Sequence, residues 1–143
     1  MARTVYFDMD GTIANLYGVA DWLPKLRAYN PSPYADAKPL VSMSRLAKAL
    51  HRTQAVGWKI GIISWCSKES TEEYDKAVAE AKASWLKQHL PSVEWDTIHI
   101  VPYGTPKESF YTNGDILFDD EERHREKWPG YSFTPDRIFD KLA

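Results

Sequence analysis

A short apolar strand that runs directly into two carboxylates constrains this chain more than any other feature. The segment reads Thr4-Val5-Tyr6-Phe7-Asp8-Met9-Asp10-Gly11-Thr12. Side chains alternate along a strand, so Asp8 and Asp10 project toward one point, where like charges repel unless a cation or a proton lies between them. Gly11 permits the sharp turn that must follow. Although Asp-Gly is also common in plain turns, the whole pattern predicts a Mg²⁺-dependent phosphoryl-transfer site.

The composition limits the class of protein. The chain has 143 residues and a formal net charge of −2, which predicts one domain over residues 1–143 and gives no basic footprint of a nucleic-acid-binding protein. Its one cysteine, Cys66, excludes an internal disulfide and is typical of a reducing compartment. The sequence contains no apolar run of the kind found in signal peptides or membrane spans, so we predict a soluble, cytoplasmic protein without membrane contact.

Strand and helix patterns alternate along the chain, which predicts an α/β fold with a parallel sheet. Strands are expected at about 4–8, 58–64, 97–102, 115–119 and 131–133, and helices at about 42–56, 69–90 and from 134 onward. Residues 13–40 are rich in proline and aromatic side chains, so we expect a small folded insertion over the sheet, with a short helix near 20–28. In the helix at 69–90 we place Lys82 on the solvent-facing side.

Polar groups suited to chemistry follow several of the expected strands. They are Asp8 and Asp10 after the first strand, Ser64 after the second, Lys107 beyond the third, and Asp119 and Asp120 after the fourth. In an open α/β sheet, ligands bind beyond the carboxyl ends of the strands. Each residue alone has a plainer role, as a turn cap, a surface lysine or a solvated acid, but their shared position predicts one site.

This set fits phosphoryl transfer through an aspartate nucleophile. Such a reaction needs a nucleophilic carboxylate, a second carboxyl group as acid and base, a hard cation, and donors for the phosphoryl oxygens. These roles fall on Asp8 (nucleophile), Asp10 (acid/base), Lys107 and Ser64 (phosphoryl binding), and Asp119 and Asp120 together with Asp8 and Asp10 (metal).

These residues give the chain a resemblance to the haloacid dehalogenase (HAD) superfamily of phosphatases. The family motifs match Asp8-Met9-Asp10-Gly11-Thr12, Ile62-Ile63-Ser64, Lys107 and Ile116-Leu117-Phe118-Asp119-Asp120. The resemblance implies a Rossmann-like sheet ordered 5-4-1-2-3, with Asp8 as nucleophile and Asp10 as acid/base. It also implies Mg²⁺ bound by the Asp8 side chain, the Asp10 backbone carbonyl and either Asp119 or Asp120, two residues between which the motif does not decide.

Within the superfamily, the chain is most similar to the 5′(3′)-deoxyribonucleotidases. The similar segments are 85–90, 97–101 and 114–120. This resemblance implies a small-molecule phosphate ester as substrate, a nucleoside monophosphate. Those nucleotidases have a larger helical cap than the reduced insertion at 13–40, so a nucleic-acid end or a phosphoprotein stays open as a competing substrate.

Aromatic side chains near the expected site are candidate substrate contacts. Tyr17, Trp22 and Tyr34 lie in the insertion and Trp65 follows Ser64, where a ring could stack on a nucleobase. Each ring alone could instead pack the cap or the core. A second class of function, a HAD-like domain retained only for binding or assembly, also stays open, and it would gain support if Trp65 blocked the site.

Two further sets of residues receive no chemical role. Cys66 has no histidine placed by the sequence to activate it, so a packing role is expected. The histidines show no metal-ligand spacing; they are His51, His89, His99 and His124.

Overall fold

A five-stranded parallel sheet flanked by helices forms the protein, whose computed structural model describes residues 2–142. The elements in chain order are β1 (Thr4–Phe7), β2 (Ala14–Asn15), α1 (Trp22–Arg27), α2 (Ser32–Asp36), β3 (Lys38–Pro39), α3 (Met43–Ala55), β4 (Lys59–Trp65), α4 (Glu72–His89), β5 (Thr97–Val101), β6 (Ile116–Phe118), α5 (Glu122–Lys127), β7 (Ser132–Phe133) and α6 (Ile138–Lys141). Short 3₁₀ turns cover Leu16–Gly18, Lys107–Phe110 and Pro135–Arg137. The predicted α/β class and parallel sheet are confirmed.

The strand order of this sheet is β5-β4-β1-β6-β7, and each neighbouring pair is parallel. If the strands of this sheet alone are numbered 1 to 5 along the chain (β1, β4, β5, β6, β7), the order read from β7 to β5 is 5-4-1-2-3. The order implied by the family resemblance is therefore confirmed. Strand β1 lies at the centre, with β4 and β5 on one side and the later strands β6 and β7 on the other. Where the direction of strand addition reverses in this way, a crevice opens beyond the carboxyl ends of the strands. The register pairs Phe7 with Phe118, so Asp8 and Asp119, the next residue of each chain segment, emerge side by side.

The apolar side chains of the central strands are buried. On one face, Val5 and Phe7 of β1, Ile60 and Ile62 of β4, and Phe118 of β6 are at most 1% exposed. On the other face, Tyr6, Ile63 and Leu117 are at most 6% exposed. Strands that are apolar on both faces are typical of parallel sheets covered by helices. The rings of Phe7 and Phe118 stack with centroids 5.3 Å apart, which fixes the two strand ends that carry Asp8 and Asp119.

Helices α3 and α4 begin at hydroxyl caps. The Ser42 hydroxyl accepts the backbone N–H of Arg45 at 3.3 Å, and the Thr71 hydroxyl accepts that of Tyr74 at 3.1 Å. Each cap satisfies an N–H that the first turn of a helix leaves unpaired. The Thr71 cap explains why α4 begins at Glu72, slightly later than the predicted start at residue 69.

Residues 13–40 form a folded insertion, and α1 lies within the range predicted for its short helix. Two side chains of α4 fasten the insertion to the rest of the fold. The Tyr74 hydroxyl donates to the Asn30 carbonyl at 2.8 Å, and the Trp85 indole N–H donates to the Ala37 carbonyl at 2.7 Å. The wall that the insertion builds is therefore tied to α4 at two separate points.

The prediction of one domain over residues 1–143 stays a prediction, and residues 1 and 143 lie outside the described range. No helix between residues 2 and 142 has the length and hydrophobicity needed to cross a bilayer.

Candidate active site

Asp8 and Asp119 share one lysine at the carboxyl ends of β1 and β6. Lys107 Nζ lies 3.0 Å from Asp8 Oδ1 and 2.7 Å from Asp119 Oδ2, and all three side chains are buried. Lys107 reaches this point from the 3₁₀ turn that follows β5. The Thr12 hydroxyl donates to the other Asp8 oxygen, Oδ2, at 3.1 Å. The fold thus brings together residues that the sequence placed beyond three different strands.

Burial and neighbouring charge shift the pKa values of this group in opposite directions. Burial raises the pKa of Asp8 well above its usual range, although Lys107 opposes the shift. Burial disfavours the charged form of Lys107, yet attraction to Asp8 and Asp119 raises the pKa of its ammonium. Burial would raise the pKa of Asp119, but hydrogen bonds from His124 and Lys107 outweigh it and lower that pKa. Asp119, which accepts hydrogen bonds from both His124 and Lys107, is therefore better compensated than Asp8.

Asp120 is the carboxylate best placed to bind a cation. Single oxygens of Asp8, Asp119 and Asp120 all lie within 4.8 Å of one another. Both Asp119 oxygens already accept hydrogen bonds from protein donors, whereas among the described residues Asp120 accepts one long hydrogen bond, from Thr12 Oγ1 at 3.4 Å. Gly11 has a φ of +81°, and a Cβ there would lie 2.3 Å from Asp120 Oδ2, so only glycine permits this close approach.

The charges of the region favour a divalent cation. Four carboxylates meet two ammonium groups here: Asp8, Asp10, Asp119, Asp120, Lys82 and Lys107. When all are ionised, these six groups carry a net charge of −2, which the Arg125 guanidinium, 2.9 Å from the Asp119 carbonyl oxygen, offsets only in part. A partly buried site with such a surplus of negative charge is costly without a further cation. Carboxylate oxygens are the ligands that Mg²⁺ prefers, so the residues present fit this metal.

Lys82 does not face solvent, and the prediction for it was wrong. It is 1% exposed, and its Nζ lies 2.8 Å from Asp10 Oδ2, 2.6 Å from Ser64 Oγ and 2.7 Å from the Trp65 carbonyl oxygen. The signal was the helical spacing, because Lys82 lies one turn after the buried Val78 on the apolar stripe of α4. A long side chain on a buried face can carry its charge to polar groups at a strand end.

His124 also belongs to the site, so the prediction that no histidine has a role was wrong. Its Nδ1 lies 3.1 Å from Asp119 Oδ2, and its ring packs against Trp65 with centroids 4.5 Å apart. Helix α5, which follows the paired acids directly, places the imidazole there. His124 is a hydrogen-bond partner of a carboxylate, and a search for metal-ligand spacing cannot detect such a role.

A cavity of about 370 Å³ opens onto the carboxylates at the end of β1. All the predicted substrate contacts line it: Tyr17, Trp22, Tyr34 and Trp65. Trp65 forms a wall and leaves Asp8 accessible from the cavity. Tyr17 is 48% exposed, and its ring meets Trp22 edge to face with centroids 5.0 Å apart. Cys66 lines the same cavity, and burial raises its pKa to about 11, which keeps the thiol protonated near neutral pH.

Comparison with known proteins gives a likeness in fold. No protein-family model matches the chain, and no curated protein matches it. Among solved structures, the crystal structure of D,D-heptose 1,7-bisphosphate phosphatase from Burkholderia thailandensis matches with a TM-score of 0.55 and 14% sequence identity, over 99% of each chain. At this identity the likeness establishes the fold alone, and it agrees with the predicted Rossmann-like arrangement of a parallel sheet with flanking helices.

Proposed function

We propose that this protein is a Mg²⁺-dependent phosphomonoesterase that acts through an aspartyl-phosphate on Asp8. The observation that carries the proposal is the placement of Asp8, which is held between the Lys107 ammonium and the Thr12 hydroxyl and faces a cavity. A carboxylate fixed in this way can attack phosphorus while a neighbouring cation offsets the charge of the incoming phosphate. The likeness in fold to a bisphosphate phosphatase supports the same class of reaction.

In the first step an Asp8 oxygen attacks phosphorus, so that a new P–O bond forms and the ester P–O bond breaks. The leaving oxygen takes a proton from the Asp10 carboxyl group, which lines the same cavity. Lys107, which lines the cavity, offsets the charge on Asp8 and on the phosphoryl oxygens during transfer. The Ser64 hydroxyl, for which the sequence predicted a phosphoryl contact, is instead fully buried against Lys82 and lies outside the cavity lining.

In the second step a water molecule attacks the phosphorus of the aspartyl-phosphate and gives its proton to the ionised Asp10. The bond between Asp8 and phosphorus breaks, which releases inorganic phosphate and returns both side chains to their starting forms. If another hydroxyl compound replaced water as acceptor, the protein would be a phosphotransferase with the same first step.

Mg²⁺, when bound, would supply positive charge to the phosphoryl oxygens as negative charge develops on them. We assign its binding to the Asp8 side chain, the Asp10 backbone carbonyl and the Asp120 carboxylate. Asp119 is the less suitable member of the acidic pair, because protein donors already bind its oxygens.

We propose a nucleoside monophosphate, with ribose or deoxyribose as its sugar, as the substrate. The support is the aromatic lining of the cavity, where Tyr17, Trp22 and Trp65 could stack on a nucleobase. The exposed side chains of Arg27 and Lys68 line the same cavity and favour a second candidate, a nucleic-acid 3′ or 5′ end, whose backbone carries further phosphates. A cytoplasmic location stays a prediction from composition.

The test is phosphate release from a panel of esters, with and without Mg²⁺, by the wild type and by Asp8→Asn. The panel holds nucleoside 5′- and 3′-monophosphates, sugar phosphates, a phosphopeptide, a 3′-phosphorylated oligonucleotide and an aryl phosphate. Release that needs Mg²⁺ and disappears in a folded Asp8→Asn variant would support the mechanism. No release from any ester by folded protein would favour the alternative of a non-catalytic HAD-like binding domain.

A further inference from the structure

Lys82 carries a charge on the buried face of α4, where it is 1% exposed. Burying an ammonium group is costly unless well-placed partners compensate it. A methionine or leucine would continue the apolar stripe of the helix at this position without that cost. The groups that the ammonium contacts therefore indicate what the lysine does.

All three hydrogens of the Lys82 ammonium are used at the proposed active site. Nζ donates to Asp10 Oδ2 at 2.8 Å, to Ser64 Oγ at 2.6 Å and to the Trp65 carbonyl at 2.7 Å. Over residues 2–142, no other hydrogen bond reaches the Asp10 carboxylate or the Ser64 hydroxyl. Lys82 is thus the shared partner of the proposed acid/base and of Ser64.

The open side of the ammonium is covered by an aromatic ring. Nζ lies 4.8 Å from the ring centroid of Tyr34, a residue of α2 in the insertion, which is a cation–π contact. Because all three N–H groups of Lys82 are donated to protein acceptors and the Tyr34 ring packs against the ammonium, Lys82 has no donor left to bind phosphate directly. Lys82 can therefore affect the reaction only through the residues to which it donates hydrogen bonds.

We propose that Lys82 is a positioning residue that orients Asp10 toward the phosphate ester. This inference rests on the proposed phosphomonoesterase function. An ammonium only donates, so Asp10 Oδ2 and Ser64 Oγ both accept from Lys82. Ser64 is fully buried and lies outside the cavity lining, so it serves to hold the ammonium beside Asp10. Lys82 occupies Asp10 Oδ2, so among the described residues Oδ1 has no hydrogen-bond donor and is the oxygen left to meet the leaving group.

The test compares Lys82→Met with the wild type on two esters that differ in their need for an acid. An alkyl phosphate expels a basic alkoxide that needs a proton, whereas 4-nitrophenyl phosphate expels a weakly basic phenolate that does not. With Mg²⁺ present, we expect kcat/KM to fall about 100-fold or more for the alkyl ester and less than about 10-fold for the aryl ester. Lys87→Met, at an exposed lysine of the same helix, is the control and should match the wild type on both.

Each result separates the role of Lys82 from the proposed function. Equal losses on the two esters, or no loss, in a folded Lys82→Met variant would refute positioning of Asp10 while leaving the phosphatase proposal intact. Wild-type protein that cleaves neither ester would refute the proposed function and this inference with it. If Lys82→Met does not fold, Lys82→Gln replaces it, because the amide keeps two N–H donors without the charge. A greater loss on the alkyl ester supports the inference in that variant, and equal losses contradict it.

Discussion

The indole N–H of Trp85 donates to the backbone carbonyl of Ala37 at 2.7 Å and so joins α4 to the insertion. Both residues are buried, at 1% and 3% exposure. A buried carbonyl that loses its donor has no water to replace it, so the bond is worth more than one at the surface. The wall of the cavity therefore depends on the stability of this contact.

Trp85→Phe is expected to lower the free energy of unfolding by about 2–4 kcal/mol, because it leaves the Ala37 carbonyl unpaired and a void beside the smaller ring. Urea titration followed by circular dichroism measures the change. Trp22→Phe, at a partly exposed ring, is the control and should cost less than about 1 kcal/mol. A cost for Trp85→Phe as small as that of the control would show that this contact does not hold the insertion.

Asp120→Asn is expected to weaken Mg²⁺ binding by at least about tenfold, because it removes a charged oxygen that few protein donors compensate. Asp119→Asn is expected chiefly to destabilise the fold, by about 3 kcal/mol, because Lys107 loses one of its two buried partners. Isothermal titration with Mg²⁺ and thermal unfolding in a chelator distinguish the two effects. The reverse pattern would assign the direct ligand to Asp119.

Burial raises the pKa of Asp8, so its ionised form destabilises the metal-free fold. Between the usual value of 3.8 and the raised one, the folded state binds more protons than the unfolded state, and the contribution of Asp8 to stability falls as pH rises. In a chelator, Asp8→Asn should therefore unfold at a higher temperature than the wild type near neutral pH. The difference should shrink as the pH falls toward about 4.5. Differential scanning calorimetry of both proteins across this range is the measurement, and a difference independent of pH would contradict the prediction.

Tyr17→Ala is expected to raise KM for a deoxynucleoside monophosphate by about tenfold, because stacking on one base contributes about 1–3 kcal/mol. The variant should leave KM for a small alkyl phosphate unchanged, since that ester has no base to stack. Steady-state kinetics on the two substrates make the comparison. Tyr131→Ala is the control, since Tyr131 is 76% exposed and lies outside the cavity lining. An equal change on both substrates would show that Tyr17 does not stack on the base.

The acids at the strand ends could be predicted because their signals are local in sequence. Asp8 and Asp119 each follow a short apolar strand, and the alternation of side chains indicates where such a strand ends. Their meeting at one edge also follows, since parallel strands present their carboxyl ends together. The choice between Asp119 and Asp120 could not be predicted, because it depends on which of them Lys107 reaches.

Lys82 and the fastening of the insertion required the structure. A charge on a helix favours the solvent-facing side on average, and only the packing of α4 against the sheet shows that Lys82 reaches Asp10, a residue 72 positions away. The insertion was predictable from its aromatic content, but its anchors are the backbone carbonyls of Asn30 and Ala37. Every residue has a carbonyl, so nothing in the sequence marks those two.

Helix α4 carries two residues on which the site depends. Trp85 attaches the cavity wall to the helix, and Lys82 contacts the proposed acid, Asp10. Helix α1, by contrast, contributes no fully buried side chain, although several of its residues line the cavity. Trp22 and Leu26 pack against a buried cluster, but the exposed residues Leu23 and Arg27 could be exchanged for others while the anchored frame stays in place. If directed evolution were applied to the proposed phosphatase, these positions would be the first to vary in a search for altered substrate selectivity.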